Sequence, residues 1–186
     1  MFFEPLPPQP SPEQRKWSPP LWDRPSEGTI PAVLAVNELV HQSNDAVVML
    51  DTLGVYPNGF TIQVSIHLNP HRAQETTQRF RGAARMQMVR AGVRFADGRE
   101  GGRRAQGVAM ILKDEQGIPT EPYVSFHGGG GGSRGWRFEF WVFPLPPDGP
   151  LDIFIGLPTD DPIEAKLTLD GAQIRSAATQ ARVVWT

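Results

Sequence analysis

The chain is 186 residues long, contains no cysteine and carries a formal net charge of -2. This length fits one domain, or one domain with an extended tail. The missing cysteine excludes disulfides and all-thiolate metal sites, and the slightly acidic charge lacks the basic field that holds a protein on nucleic acid or anionic lipid. We therefore expect neither a nucleic-acid partner nor a membrane.

The first 29 residues are predicted to form a proline-rich extended tail, because they contain eight prolines, which fix φ and remove backbone donors. The start, MFFEPLPPQP, lacks the basic residues and the apolar run of a signal peptide, so a cytoplasmic location is predicted. Trp17 and Trp22 lie inside this tail. Either they pack on the domain, or the segment is a proline-rich motif that a partner recognises.

Residues 30–186 are predicted to form a single domain of β-strands. In Phe60–Leu68 apolar and polar residues alternate, which is typical of a strand with one wet face. Ala46–Tyr56 precedes it, and the Asn-Gly pair between them favours a tight turn with positive φ, so the two segments indicate a β-hairpin. Further strands are predicted at 33–39, 93–96, 108–112, 123–126, 136–143, 151–157 and 163–169. Short strands separated by turn residues predict a mainly β fold, an immunoglobulin-like antiparallel β-sandwich.

Two segments depart from this pattern. Asp170 can cap a short C-terminal helix, since apolar residues follow it at helical spacing. Arg72–Ala91 is rich in helix formers and is interpreted as a variable insertion that is either helical or mobile. It begins an arginine-rich region, 72–104, which contains nine arginines and to which the sequence assigns no role.

The glycines and the serine at 128–135 resemble two known motifs but lack the features that either motif needs. Gly131-Gly132-Ser133-Arg134-Gly135 fits the G-x-S-x-G pattern of a hydrolase nucleophile, but a nucleophile elbow needs a strand before the serine and a helix after it. The five glycines Gly128–Gly132 lack the Gly-Lys-Ser/Thr and helix of a phosphate-binding loop. We interpret them as a flexible connection between strands.

Histidines and acidic pairs do not form a recognisable site either. His67 and His71 have helical zinc-site spacing, but on an extended chain they would lie about 13 Å apart. His41 and His127 have no spacing that joins them to a metal. The pairs Asp114-Glu115 and Asp160-Asp161 lie in predicted turns, where carboxylates bond backbone donors. The sequence thus predicts no catalytic residue, no metal and no cofactor.

Trp136–Phe143 is the most informative stretch for function. Alternation places Arg137, Glu139 and Trp141 on the face opposite the core. Aromatic and charged residues side by side are typical of a binding surface, so these three residues are the candidate binding site. The alternative is that the N-terminal tail covers this face and packs Trp17 or Trp22 against Trp141.

The C-terminal half also resembles a known family. The run GGGGGSRGWRFEFWVFPLPPDGPLDIFIGL, the final LDG segment, and DTLGVYPNGFTIQVSIHL and VRFADGREGG earlier are similar to a family of uncharacterised actinobacterial proteins. The resemblance covers about 45–185 without the insertion. It implies one β-rich module with a variable loop, and it implies no activity.

Two functions follow as hypotheses. The first is a non-catalytic interaction or binding module whose partner is another protein. The second is a small hydrolase whose acids and histidines come together from separate loops. A histidine such as His67 or His127 beside a carboxylate in a cleft would favour the second.

Overall fold

The computed structural model describes residues 20–72, 89–102, 111–157 and 163–185. Trp17 and almost all of the predicted insertion at 72–91 lie outside these residues. The described strands are β1 (Thr29–Ile30), β2 (Ala32–Gln42), β3 (Ala46–Tyr56), β4 (Gly59–Leu68), β5 (Arg90–Arg94), β6 (Glu100–Gly101), β7 (Tyr123–Gly132), β8 (Gly135–Phe143), β9 (Pro150–Leu157), β10 (Ile163–Asp170) and β11 (Arg182–Val183). A helix, α1 (Gly171–Ala178), lies between β10 and β11.

The strands form antiparallel sheets. One sheet has the order β2-β3-β4-β8-β7 and a second has the order β10-β9-β5-β6, while β1 and β11 form a two-stranded ribbon. The two larger sheets share one apolar core, as in a β-sandwich. The predicted mainly β, antiparallel fold is confirmed, and its immunoglobulin-like character stays a prediction.

Period-two sequence patterns build this core directly. In the β4–β8 pair Phe60 lies opposite Val142, Ile62 opposite Phe140 and Val64 opposite Phe138. All six side chains are buried. The second sheet contributes residues of β5 and β9, namely Val93, Leu151, Ile153 and Ile155. Burial of each such side chain contributes about 1.5–3 kcal/mol relative to its exposed state, so this interior is the main source of stability.

The predicted C-terminal helix is confirmed at α1. Asp170 has extended backbone angles and its Oδ1 accepts a hydrogen bond of 2.9 Å from the Ala172 amide, which is the N-cap arrangement. Ile174 and Ala177 of this helix are buried against the core. Of the predicted strand 108–112, the described residues Ile111 and Leu112 lie outside any strand.

The predicted positive-φ turn of the β3–β4 hairpin is wrong in its detail. The turn residues are Pro57 and Asn58, and neither Asn58 nor Gly59 has positive φ. Proline presets the first turn position, so the turn forms one residue earlier than the Asn-Gly pair suggests. Gly59 instead opens β4, where a Cβ would lie 2.6 Å from the Trp141 ring.

The interpretation of Gly128–Gly132 as a flexible connection is also wrong, since all five residues belong to β7 and pair with β8. The pleat explains why glycine is needed at alternate positions. A Cβ at Gly129 would lie 2.8 Å from the Arg137 carbonyl oxygen, and one at Gly131 would overlap the Trp136 ring. Gly128, Gly130 and Gly132 point to the other side, where a Cβ would meet no atom of the described residues within 4 Å.

The edge strand β2 is irregular along its length. Its register with β3 shifts between Ala35 and Glu38 and again between Leu39 and His41. Asn37, inside the first shift, has a φ of 52°. Such bulges interrupt the ladder of an edge strand and increase its local twist. The described residues contain no helix that is long and apolar enough to cross a membrane.

Candidate functional site

The outer face of the five-stranded sheet, which is the face turned away from the core, has one end covered by an N-terminal strap, residues 20–28. Trp141 of β8 lies at this covered end and its side chain is fully buried. Its indole Nε1 donates a buried hydrogen bond of 2.8 Å to the Trp22 carbonyl oxygen of the strap. Its ring also meets Tyr56 edge to face, with ring centroids 5.9 Å apart. Strap and sheet are therefore joined through a fully buried tryptophan of β8.

Aromatic and cationic contacts hold Trp22 of the strap in place. Its Nε1 donates to the Gly117 carbonyl oxygen at 3.0 Å, and its ring meets Tyr123 edge to face at 5.0 Å. The Lys113 ammonium lies 4.7 Å from the centre of the Trp22 ring, at cation–π distance. The Tyr123 hydroxyl donates to Asp23 at 3.1 Å. The strap thus contacts β7 as well as β8.

Asn58, in the β3–β4 turn, binds the backbone of the strap. Its Nδ2 donates to the carbonyl oxygens of Leu21 and Arg24, at 2.6 and 3.0 Å. Its Oδ1 accepts from both the amide and the hydroxyl of Ser26. One amide side chain therefore satisfies four polar groups of a segment that has no ladder of its own.

Beyond the strap the outer face is polar. We call this part the polar face and define it by six side chains, Asp51, Gln63, Ser65, His67, Arg137 and Glu139. In the β4–β8 ladder Ser65 lies opposite Arg137 and Gln63 lies opposite Glu139. Directly opposite residues of an antiparallel pair point to the same side of the sheet, so these groups form one surface.

A hydrogen-bonded chain runs through the polar face from Asp51 to His67. The Ser65 hydroxyl donates to Asp51 Oδ1 at 2.8 Å, and Ser65 Oγ lies 3.0 Å from His67 Nε2. A serine hydroxyl has one hydrogen, which is already directed at Asp51. The contact with His67 then fits the imidazole tautomer that carries a hydrogen on Nε2. The serine is 3% exposed, while the imidazole of His67 is exposed.

Asp51 also supports Arg137. The Arg137 Nε lies 3.8 Å from Asp51 Oδ2, and the arginine side chain is 64% exposed. That carboxylate oxygen is buried and has no hydrogen-bond partner among the described residues. Asp51 itself lies at a register shift between Leu50 and Thr52 of β3, and bulges of this kind re-aim a side chain. The guanidinium consequently lies beside one carboxylate and is otherwise open to solvent.

Glu139 has a different environment. Its side chain is half-buried, and no basic nitrogen of the described residues lies within ion-pair distance of it. Burial first, and the nearby Glu139 carboxylate second, raise the pKa of Tyr56 above its ordinary value. Across the β7–β8 ladder Glu139 lies opposite Gly128, which adds no side chain. The register shift between Phe126 and Gly128 leaves His127 as an extra residue beside this pair.

The three predicted binding residues separate into two environments. Arg137 and Glu139 lie on the accessible polar face, whereas Trp141 is sealed beneath the strap. The alternative interpretation had a tail tryptophan pack against Trp141. The contact that the structure gives is a hydrogen bond from Trp141 to the Trp22 carbonyl oxygen, while the Trp22 ring meets Tyr123. Asp51 and Ser65 were not singled out from the sequence. Alternation along β4 indicates that Ser65 faces outward, but the bulge that brings Asp51 to it leaves no sequence signal.

Apart from His67, which lies 3.0 Å from Ser65, the residues considered for catalysis lie apart. Ser133 is exposed in the β7–β8 turn, His127 is exposed on β7 next to Gly128, and His71 is exposed after β4. The Nε2 atom of His41 is buried without a hydrogen-bond partner in the described part of the chain. Within that part no three histidine, aspartate or glutamate side chains are grouped to hold a metal ion.

A comparison with known proteins found no matching family model, no curated protein and no solved structure with significant similarity to this chain. The resemblance to an actinobacterial family accordingly stays a prediction.

Proposed function

We propose that this domain is a non-catalytic binding module whose polar face docks a partner protein. The observation that carries the proposal is that Arg137 and Glu139 stay accessible on a surface whose neighbouring polar groups are already fixed by the Asp51–Ser65 hydrogen bond. Asp51 and Ser65 therefore lose little side-chain freedom when a partner binds next to them.

The hydrogen-bond order supports binding over hydrolysis. A nucleophilic serine needs a base that accepts its proton, but the Ser65 hydroxyl donates to the Asp51 carboxylate. Ser65 is also almost inaccessible to a substrate. These contacts favour binding over hydrolysis. A cytoplasmic location is proposed with the binding function.

The test compares three immobilised full-length chains in an extract of the cells that express the protein. These are the wild type, a polar-face variant with Arg137→Ala and Glu139→Ala, and a control with Arg175→Ala and Glu164→Ala. The control removes the same two residue types from α1 and β10, where Arg175 is 55% exposed and paired with Asp148. We expect a protein retained by the wild type and the control and lost from the polar-face variant.

The retained protein is then purified and its affinity measured by calorimetry. The polar-face variant should bind at least about tenfold more weakly than the control, because a few side chains, arginine among them, carry most of the binding energy of an interface. Amide hydrogen exchange should slow in β4 and β8 on binding. Equal affinity of the two variants, or protection confined to other strands, would contradict the proposal.

A further inference from the structure

We infer that the docking partner is a second copy of this chain, which packs its own outer face on this one about a twofold axis. The inference rests on the proposed function and names the partner of that same face. Four features of the described residues carry it: an exposed aliphatic strip, the order of the charges, two outward glycines, and a strap that covers one end only.

An aliphatic strip adjoins the polar face on the same side of the sheet. We define it by outward side chains of β2 and β3, namely Val33, Ala35, Leu39, Val47 and Met49. Leu39 lies opposite Met49, and Met49 lies opposite Ser65 of the polar face. Leu39 is 51% exposed and Val33 is 66% exposed. Neighbouring exposed aliphatic side chains with a polar rim are typical of a protein–protein interface.

Two neighbouring rows of outward side chains cross the sheet. The first row consists of Leu39, Met49, Ser65 and Arg137, and the second consists of Ala35, Thr52, Gln63 and Glu139. A twofold axis that runs between the rows, parallel to them, places the first row of each copy on the second row of the other. Each position then joins a larger with a smaller side chain, or two opposite charges, as interdigitating layers require.

Charges in the two rows are complementary about this axis. Arg137 of each copy faces Glu139 of the other, and both side chains can be reached, since the arginine is 64% exposed and the glutamate is half-buried. Asp51 lies between the rows and near the axis. Its side chain is only 18% exposed and is directed to Ser65 and Arg137 of its own chain. The two Asp51 carboxylates are therefore held by contacts within their own chains.

Gly130 and Gly132 support a close approach independently. A Cβ at either position would meet no atom of the described residues within 4 Å. Glycine weakens a strand, and where no neighbour requires it, it often marks the approach of another backbone. His127, the extra residue at the register shift beside Gly128, is exposed and lies in the row that faces Gly130 of the second copy. No side chain of Gly130 opposes it there.

The strap provides the backbone that approaches this glycine end. It covers Trp141, which lies one row beyond Glu139 along β8. Gly132 lies opposite Gly135, one row beyond Arg137 in the other direction. The same twofold axis therefore places the strap of each copy over the glycine end of the other. The raised end of one face thus meets the low end of its partner.

The size of the face suits a reversible dimer. Five strands about 4.8 Å apart, paired over eight residues in β4 and β8, form a face about 24 Å wide and about 26 Å long. Its plan area is on the order of 600 Å², somewhat less than the ~800 Å² per partner of a standard interface. We therefore expect a dissociation constant in the micromolar range.

The first test is sedimentation velocity of the purified full chain between about 1 and about 500 μM. The measured mass should rise with concentration from that of one chain, 20.6 kDa, towards twice that value. Leu39→Asp should weaken this association at least about tenfold, because it places a charge in the aliphatic strip. The control is Val183→Asp on β11, where the valine is 59% exposed and lies outside this sheet. It should leave the association unchanged.

Two charge reversals then identify the pairing across the axis. Arg137→Glu and Glu139→Arg each create like charges at both symmetric contacts, so each variant alone should associate at least about tenfold more weakly than the wild type. An equimolar mixture of the two restores opposite charges at both contacts and should form a one-to-one dimer close to wild-type affinity. Circular dichroism checks that both variants are folded, and Leu39→Asp keeps the test decisive if a charge reversal is not tolerated.

A wild type that stays monomeric up to about 500 μM would overturn the inference. A dimer that survives Leu39→Asp and both charge reversals would overturn it too, as would a mixture that associates no better than either variant alone. The proposed function would survive these results if the polar face still captures a different protein from the extract. If capture does not depend on the polar face either, the function and the inference fail together.

Discussion

The covered end and the polar end of the outer face differ although they share one strand. Trp141 and Arg137 both point outward from β8, yet the first is fully buried and the second is 64% exposed. The difference comes from what lies on top, since the strap covers Trp141 and stops short of Arg137. Strand alternation tells which side of a sheet a residue occupies, and it does not tell whether that side is wet.

The two ends also differ in what they contribute. The covered end buries aromatic rings and satisfies their polar atoms, so it adds to the stability of the fold. The polar end rests on an ion pair that is partly exposed, and such pairs contribute about 0–1 kcal/mol. We therefore expect mutations at the covered end to change unfolding and mutations at the polar end to change binding.

The largest effect is expected for Trp141→Ala. Removal of a fully buried tryptophan leaves a cavity and frees the Trp22 carbonyl, so the free energy of unfolding should fall by about 3–5 kcal/mol in urea titrations. Trp185, which is 77% exposed, provides the control. Trp185→Ala should change stability by less than about 0.5 kcal/mol. Similar losses for both would mean that Trp141 is not sealed.

Asn58→Ala should have the next largest effect, because one substitution removes all four hydrogen bonds between the β3–β4 turn and the strap. We expect a loss of about 1–3 kcal/mol and faster hydrogen exchange in residues 20–28. Asn69→Ala is the matched control, since Asn69 bonds Asn44 and His71 away from the strap. Unchanged exchange of the strap in Asn58→Ala would break the assignment of Asn58 as its anchor.

A pair of glycine variants sharpens the comparison inside β7. Gly129→Ala places a methyl group against the Arg137 carbonyl and the Phe126 ring, and should destabilise by about 1–3 kcal/mol. Gly128→Ala enters open space on the polar side and should be neutral, or stabilising by up to about 1 kcal/mol. Thermal and urea unfolding measure both. Equal losses at the two positions would contradict the pleat described for this strand.

The smallest effect is a loss of stability at high pH, which arises at the covered end. Burial is the main cause that raises the pKa values of Tyr56 and Tyr123 above the ordinary value near 10. The unfolded chain therefore loses these protons first, so stability falls as pH rises from about 10 towards the folded pKa values. Over this range the free energy of unfolding should fall more in the wild type than in the double variant Tyr56→Phe with Tyr123→Phe. If the free energy of unfolding falls equally with pH in both proteins, the two tyrosines are not the cause of the loss.

Much of the fold could be predicted from the sequence because its strands keep strict alternation. Phe60–Leu68 and Trp136–Phe143 have apolar residues at every second position, and both are central strands with those residues in the core. The helix α1 could also be predicted, because Asp170 is a capping residue and apolar residues follow it at helical spacing. In these segments local preference and long-range packing agree.

The rest could not be predicted because its signal lies outside the local sequence. Gly128–Gly132 has no side chains whose burial could alternate, so its strand character depends on pairing with β8. Asp51 reaches Ser65 through a register shift that no residue type marks. The sequence places Arg137 and Glu139 on the correct side of β8, but it does not predict where the strap ends on that side.

The broken register of β2 has a consequence for crowded conditions. Its longest uninterrupted pairing with β3 runs over the four residues Ala32–Ala35. A strand from another molecule that approached this edge strand would find only about four residues in regular register, whereas a typical strand pairs over about five or six. The bulges therefore make this edge of the sheet a poor template for edge-to-edge strand addition by another molecule.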